Sequence, residues 1–347
     1  MAIRHISFLT PGNYPPDAPQ QGLAAALQLF SQGEALGFDG AWVRQRHLER
    51  GISSAATFLA AASQRTRRIE LGCAVIQMGY ENPFRLAEDL ATVDVLAGGR
   101  LQVGLSAGAP PFGALLGERL FDTDPAGIDF SHTRVQRLRD NLSGTLLGNE
   151  ETFIESPAGR QRPQLHPYAP GLAQRLWYGG GSQRSARWAA EHGFHLLTGN
   201  LLSGELSDDF HTAQQQLLDT YRRHWQGDGV PRIQLGRVIV PTDSADAATR
   251  RRYQDYADSR LARTLAPQGE RRTLFARDLV GSSHQIVAQL LADPIVQQVD
   301  ALRLELPYDL PAQDYAQILH DFRHFIAPVL GWQPASGRAE GGSCLAA

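Results

Sequence analysis

Lysine is absent from this 347-residue sequence, so all 33 residues counted as lysine or arginine are arginines. A guanidinium is always protonated and cannot form a Schiff base. The absence of lysine therefore excludes pyridoxal-phosphate enzymes, Schiff-base aldolases, Walker-type nucleotide sites and Ser-Lys hydrolases.

The sequence also has few cysteines, no long apolar run and no excess of one charge. The two cysteines, Cys73 and Cys344, cannot build a disulfide framework, which favours a reducing, cytoplasmic location. No run of 18 apolar residues occurs and the start, MAIRHISFLT, lacks the basic-then-apolar order of a signal peptide, so we expect neither a membrane span nor export. The 33 basic residues are balanced by 36 acidic ones without a long basic stripe, so we expect no nucleic-acid partner.

Short apolar segments alternate with longer helical patterns along the chain. Eight of them are predicted as strands, at residues 5–12, 38–43, 68–77, 100–108, 174–180, 194–200, 232–240 and 299–307. Eight strand-helix units predict an α/β fold, a parallel (β/α)8 TIM barrel. A doubly wound sheet competes, but its glycine fingerprint would occupy the first turn, which reads TPGNYPPDAPQ.

The domain prediction is one barrel over residues 1–332, followed by a small, polar tail at 333–347 that we expect to be disordered. Two connections, 107–131 and 242–281, are too long to be simple turns. Both follow strand ends, so a barrel would place them over its C-terminal face.

A glycine-rich turn links the fifth predicted strand to its helix. In order it reads Gly179, Gly180, Gly181, Ser182, Gln183, Arg184 and Ser185. Free amides at a helix N-terminus favour an anion. A dinucleotide fingerprint starting at Gly179 would need glycine where Arg184 stands, so a phosphomonoester is the predicted ligand rather than a pyrophosphate. Close packing of strand on helix is the alternative.

Four segments of the chain resemble the luciferase-like flavin-dependent monooxygenase family, the bacterial luciferase superfamily. In chain order they are LGFDGAWVRQRH, RIELGCAVIQMGYENPFRLAEDLATVDVLAGGRLQVGLSAG, WYGGGSQRSARWAAEHG and DYAQILHDFRHFIAPVL. The resemblance covers residues 3–332, and its most specific part is 82–108. It implies a (β/α)8 barrel that binds FMN, usually as reduced flavin from a separate reductase, and a homodimer.

The resemblance also assigns cofactor residues. Ser182 matches the serine that holds the flavin phosphate, Ser185 a hydroxyl one turn later, and Gly181 a position that is acidic in luciferases. Ser106 matches a cysteine beside the flavin. Ala74-Val75 matches a cis peptide that bulges toward the ring, so we predict a cis bond here.

Two departures from the family alter the expected chemistry. Ala107 replaces a phosphate-binding arginine, and Arg184 is the predicted substitute unless it is simply an exposed helix residue. Gln45-Arg46-His47 replaces Glu-His-His, so Arg46 stands at the position of the catalytic histidine.

Arg46 and His47 are nevertheless the predicted catalytic residues. Arg46 supplies a permanent positive charge that favours an anionic reduced flavin but cannot act as a base, whereas His47 can exchange a proton near neutral pH. Alternatively, His47 bonds a neighbouring carbonyl and Arg46 pairs with Glu49 or another carboxylate.

Other side chains are open in role. His132 stands where relatives often have tyrosine, Arg237 faces either the barrel or a partner outside it, and of Trp177 and Tyr178 one points inward. No C-x-x-C spacing occurs, and we predict no metal site.

Three functions remain possible at this stage. The first is an FMN-dependent monooxygenase that oxygenates a small organic substrate with O₂. The second is hydride transfer with the deazaflavin F420, which related barrels bind, and the third is flavin binding without turnover.

Overall fold

The eight predicted strands form a closed barrel in the computed structural model, which describes residues 3–334. They are β1 His5–Thr10, β2 Gly40–Val43, β3 Glu70–Gln77, β4 Leu101–Ser106, β5 Leu176–Gly179, β6 His195–Thr198, β7 Ile233–Arg237 and β8 Ala301–Glu305. Each strand pairs in parallel with its neighbour in sequence, and β8 closes the barrel on β1. The (β/α)8 prediction is confirmed. Residues 335–347, most of the predicted tail, lie outside the described residues.

Helices surround the barrel and follow the predicted strand-helix order. The α-helices of the described chain are α1 Pro19–Ala35, α2 Ala55–Ser63, α3 Pro83–Leu96, α4 Gly113–Leu116, α5 Thr133–Asn141, α6 Gln183–Glu191, α7 Phe210–Arg223, α8 Ala247–Leu261, α9 Ser283–Ala292 and α10 Ala312–Asp321. Asn82 caps α3 through hydrogen bonds from the N–H groups of Phe84 and Arg85. Within residues 3–334, no helix is long and apolar enough to cross a membrane.

The barrel interior has a small core of its own. Leu9, Trp42, Trp177 and Leu197 are buried together there, apart from the large core between strands and helices. Trp177 points inward and Tyr178 belongs to the outer core, as strand alternation predicts.

The connection after β7 is more structured than the sequence indicated. Helix α8 lies within it, and Ile239–Pro241 pairs in parallel with Leu279–Gly281. Further along the insertion, Thr273–Phe275 pairs antiparallel with Leu201–Ser203, the segment after β6. The insertion therefore reaches back toward β5 and β6.

Arg237 points out of the barrel, so the barrel-facing alternative is wrong. Its guanidinium donates to Asp293 at 2.9 Å and to Gln214 at 2.7 Å, and the residue is only 2% exposed. Both partners belong to the helical layer, so Arg237 fastens β7 to it.

His195 at the start of β6 makes stability sensitive to acid. Burial and, to a smaller extent, Arg232 lower the pKa of His195 to about 4, and its Nδ1 accepts the N–H of Arg232. An unfolded histidine has a pKa near 6.5, so as the pH falls below that value the unfolded state takes up the proton first and stability drops by about 1.4 kcal/mol per pH unit, until about pH 4.

Acidification from about pH 7 to about pH 4.5 lowers the free energy of unfolding of the wild type. In His195→Gln we expect this decrease to be about 2 kcal/mol smaller, because the variant lacks the histidine that the unfolded state protonates. Urea unfolding at both pH values measures this. His284→Gln, which changes an exposed histidine, is the matched control. Equal acid losses in wild type and His195→Gln would contradict the assignment.

Candidate active site

The C-terminal mouth of the barrel collects the residues that the sequence singled out. Arg46 and His47 follow β2, Ala74 and Val75 lie in β3, Ser106 ends β4, and residues 179–185 run from β5 into α6. Because β2 to β5 are neighbours in the barrel, these residues lie along one half of the same end. Active sites of (β/α)8 enzymes are built at this end.

The peptide bond between Ala74 and Val75 is cis, as predicted. The register between β3 and β4 shifts between Cys73 and Ile76, so the two residues bulge from the ladder. The Val75 side chain packs over two glycines, since a Cβ at Gly104 or at Gly179 would lie 3.2 Å from its Cγ1. Ser106 lies two residues beyond Gly104 and therefore faces the same side.

Four glycines form the upper surface of the barrel interior, which we call the glycine floor: Gly104, Gly179, Gly199 and Gly236. On the β3 to β6 side the floor is covered by Val75 and Leu197. On the opposite side, a Cβ at Gly199 or Gly236 would lie 2.7 or 2.1 Å from Oε1 of Glu305. The floor is thus apolar on one side and charged on the other.

The turn after β5 is shaped by two different glycine roles. A Cβ at Gly180 would lie 2.5 Å from Cδ1 of Leu196, so that glycine leaves room for a side chain of the neighbouring strand β6. Gly181 instead borders a cavity of about 520 Å³, and a Cβ there would meet nothing nearer than 3.9 Å. Ser182 caps α6 in a capping box with Ser185. We call Gly181, Ser182 and the first amides of α6 the cradle.

A carboxylate already uses the cradle. Oε2 of Glu205 accepts the N–H of Gln183 at 3.1 Å, so this helix start binds an anionic oxygen. The cavity is also lined by Arg271 and Arg272 from the insertion after β7, which sequence reasoning missed. Arg184 does not line this cavity; it is exposed, with no ion-pair partner among residues 3–334.

His47 is held as a proton acceptor. The Gln45 amide oxygen accepts the N–H of Ala55, so its NH₂ group donates to Nε2 of His47 and to Oε1 of Glu81, each at 3.0 Å. Burial lowers the pKa of His47 and raises that of Glu81. His47 also stacks on Tyr80, with ring centroids 3.9 Å apart. The alternative of a bond from His47 to a backbone carbonyl finds no support in these contacts.

Arg46 bonds to a tyrosine rather than to a carboxylate. Its Nη2 donates to the Tyr308 hydroxyl at 3.2 Å, and no ion pair of Arg46 exists within residues 3–334. The half-buried guanidinium therefore keeps its positive charge unneutralised at the mouth.

Sequence reasoning missed a charged group inside the barrel. Glu305, which ends β8, accepts hydrogen bonds from Arg44 at 2.8 Å and from Arg303 at 3.2 Å. Arg303 also donates to Gln234. The signal available in the sequence was alternation, because positions 303 and 305 fall on one side of a strand whose residues 302 and 304 are leucines.

The comparisons with known proteins agree with this geometry. 4-Hydroxyprotoasukamycin monooxygenase of Streptomyces nodosus subsp. asukaensis is 36% identical over 148 residues, 42% of this chain and 38% of that protein, so the chain spans little more than a third of that relative. The oxygenating constituent of 3,6-diketocamphane monooxygenase from Pseudomonas putida, solved with FMN, has a TM-score of 0.69 at 15% identity, covering 94% of this chain and 99% of that one.

A third similar protein uses a different cofactor. An F420-dependent secondary alcohol dehydrogenase, solved with an F420-acetone adduct, has a TM-score of 0.61 at 14% identity, with 94% of this chain and 99% of that chain covered. At such identities the solved structures establish the fold.

The mouth of this barrel thus combines the cradle, a cis-peptide bulge and the polar side chains of Arg46 and His47. Residues 3–296 match the family model of luciferase-like monooxygenases. The chain belongs to that family, as its motifs predicted, and the match together with the monooxygenase relatives supports an oxidoreductase.

Proposed function

We propose that the protein is an FMN-dependent monooxygenase that uses reduced flavin, delivered by a separate reductase, and O₂ to oxygenate a small organic substrate. The observation that carries the proposal is the cradle, where Gln183 binds a carboxylate oxygen beside an open cavity. A single phosphate fits this donor set. The family and the FMN-bound relative support the same cofactor.

The cradle and the cavity would hold the flavin phosphate. The Ser182 and Ser185 hydroxyls and the Gln183 amide offer donors, and the helix start adds its positive dipole. Arg271, or Arg184 after a change of rotamer, would add positive charge. FMN is expected to displace Glu205 from Gln183, because one amide cannot serve two anions.

The polar residues of the mouth would stabilise negative charge and transfer protons. When bound, reduced FMN supplies the electrons that activate O₂. Arg46 would stabilise the negative charge of a bound anionic flavin, and His47, oriented by Gln45, would accept a proton through Nε2. Val75, which covers Gly104 and Gly179, and Ser106 on the same side would support the ring from below.

Hydride transfer with F420 is the second candidate, which the similarity to the F420-dependent dehydrogenase favours. Flavin binding without turnover is the third, because Arg46 replaces the usual histidine. A homodimer and a cytoplasmic location complete the proposal. Helices α2 and α3 are the proposed dimer contact. In them, Ala62 and Ala87 are buried in the core of this chain, whereas Ala61 is exposed.

Titration of the purified protein with FMN, reduced FMN and F420 separates these candidates. The monooxygenase proposal expects tight binding of reduced FMN and oxygen uptake that increases with an accepted substrate. Anaerobic reduction of F420, with no affinity for FMN, would overturn it in favour of the dehydrogenase. Tight FMN retention without oxygen uptake would leave only a flavin-binding role.

A further inference from the structure

Arg44, Arg303 and Glu305, which we call the mouth cluster, carry more positive than negative charge. The Glu305 carboxylate is shared, with Oε2 on Arg44 and Oε1 on Arg303. Burial alone would raise the pKa of Glu305, but the two guanidiniums outweigh it and hold that pKa below its usual value. The carboxylate is therefore ionised, and the cluster has a net charge of about +1.

The mouth cluster also has unused hydrogen-bond donors. A guanidinium carries five N–H donors. The Nε–H groups of Arg44 and Arg303 are buried without a partner among residues 3–334. A buried donor without an acceptor costs free energy, and an excess buried charge adds to that cost. An anion placed at the cluster would relieve both.

The cluster is accessible through Arg44. Its side chain is 21% exposed, whereas that of Arg303 is 5% exposed. The Arg44 guanidinium lies over the Tyr308 ring at 5.4 Å, and Arg46 donates to the hydroxyl of the same tyrosine. Two guanidiniums from the end of β2 thus flank Tyr308 on the charged side of the glycine floor.

We propose that Arg44, oriented by Glu305, binds the anionic group of the substrate, a planar delocalised anion such as a carboxylate, enolate or phenolate. Guanidinium matches that chemistry because it offers parallel donors and a charge that is easily desolvated. The inference deepens the proposed function, on which it rests for the later fate of the anion. Anionic reduced flavin presents the same chemistry through its ring, so the experiment separates the two sources.

Benzoate and benzamide, which share a shape and differ in charge, are suitable probes. Isothermal titration of the flavin-free protein should show benzoate binding about tenfold or more tighter than benzamide. Arg44→Gln should weaken benzoate binding by about tenfold or more. The Glu305 carboxylate would still be paired with Arg303 in this variant. Glu305→Gln removes the competing negative charge and should tighten benzoate several-fold, a gain that misfolding cannot mimic.

Arg175→Gln is the matched control. Arg175 is 17% exposed and pairs with the nearly buried Asp94, as Arg44 does with Glu305, but it precedes β5 at the opposite end of the barrel. Its benzoate affinity should stay within about twofold of the wild type. Equal affinities for benzoate and benzamide, or an unchanged benzoate affinity in Arg44→Gln, would overturn the inference.

Repeating the titration with FMN bound identifies the source of the anion. Benzoate binding that persists beside FMN supports a substrate site, whereas competition between the two would overturn the substrate assignment. A protein that binds benzoate through Arg44 but has no affinity for FMN would count against the proposed function alone.

Discussion

Replacing Ser182 with alanine is expected to weaken FMN binding roughly tenfold to a hundredfold while leaving riboflavin affinity within about twofold. The reason is that the Ser182 hydroxyl lies at the N-terminus of α6, where a phosphate is a charged acceptor, and riboflavin has no phosphate. Quenching of flavin fluorescence in parallel titrations measures both affinities.

Two further variants make this test specific to the phosphate. Ser282→Ala removes the same type of capping box from the start of α9, so it should cost a similar ~1 kcal/mol of stability without changing FMN affinity. Glu205→Gln removes the carboxylate that competes for the Gln183 amide and should tighten FMN binding. If Ser182→Ala weakened FMN and riboflavin equally, the cradle would not be the phosphate site.

Asp293→Ala is expected to lower the free energy of unfolding by about 3–5 kcal/mol. The change would leave the Arg237 guanidinium buried, with Gln214 and backbone carbonyls as its remaining hydrogen-bond partners and no carboxylate paired with it. Burial raises the pKa of Asp293, but the hydrogen bond from His211 and the Arg237 guanidinium outweigh it and hold that pKa well below its usual value. Urea unfolding monitored by tryptophan fluorescence measures the loss.

Glu191→Ala serves as the comparison for Asp293→Ala. It removes the partner of Arg187, whose side chain is 60% exposed, so the loss should be much smaller than that of Asp293→Ala. A double variant with Arg237→Met and Asp293→Ala should recover much of the stability, because no unpaired charge would remain. A similar small loss in Asp293→Ala and Glu191→Ala would mean that the buried pair is not a tie between β7 and the helices.

The barrel could be predicted from the sequence because its strands are short, apolar and regularly followed by helices. Asn82 and Pro83 are residues typical of a helix start and begin α3, and alternation predicted that Trp177 and Tyr178 face opposite sides without saying which is inside. Helix α8 escaped prediction because it has no apolar stripe; of its residues only Tyr253 is buried. A surface helix of this kind looks like a polar connection.

The site was predictable only where one local segment forms it. The start of α6 was predicted from its own glycines and serine, and the cis peptide from the resemblance of its segment to the family. By contrast, Glu205 reaches Gln183 across 22 positions and Glu305 reaches Arg44 across 261. Contacts between residues so far apart in the sequence cannot be predicted from residue spacing. The hydrogen bond of the Gln183 amide to Glu205 and the mouth cluster were therefore visible only in the fold.

The glycine floor limits which positions of the barrel can accept a different residue. A methyl group at Gly236 or Gly104 would meet an oxygen or carbon within 2.6 Å, so even alanine demands that a neighbour move. We therefore expect substitutions that change substrate selectivity to be tolerated in the long segments after β4 and β7 rather than at the floor. A mutant library designed to change selectivity should therefore vary those two segments and leave the glycine floor unchanged.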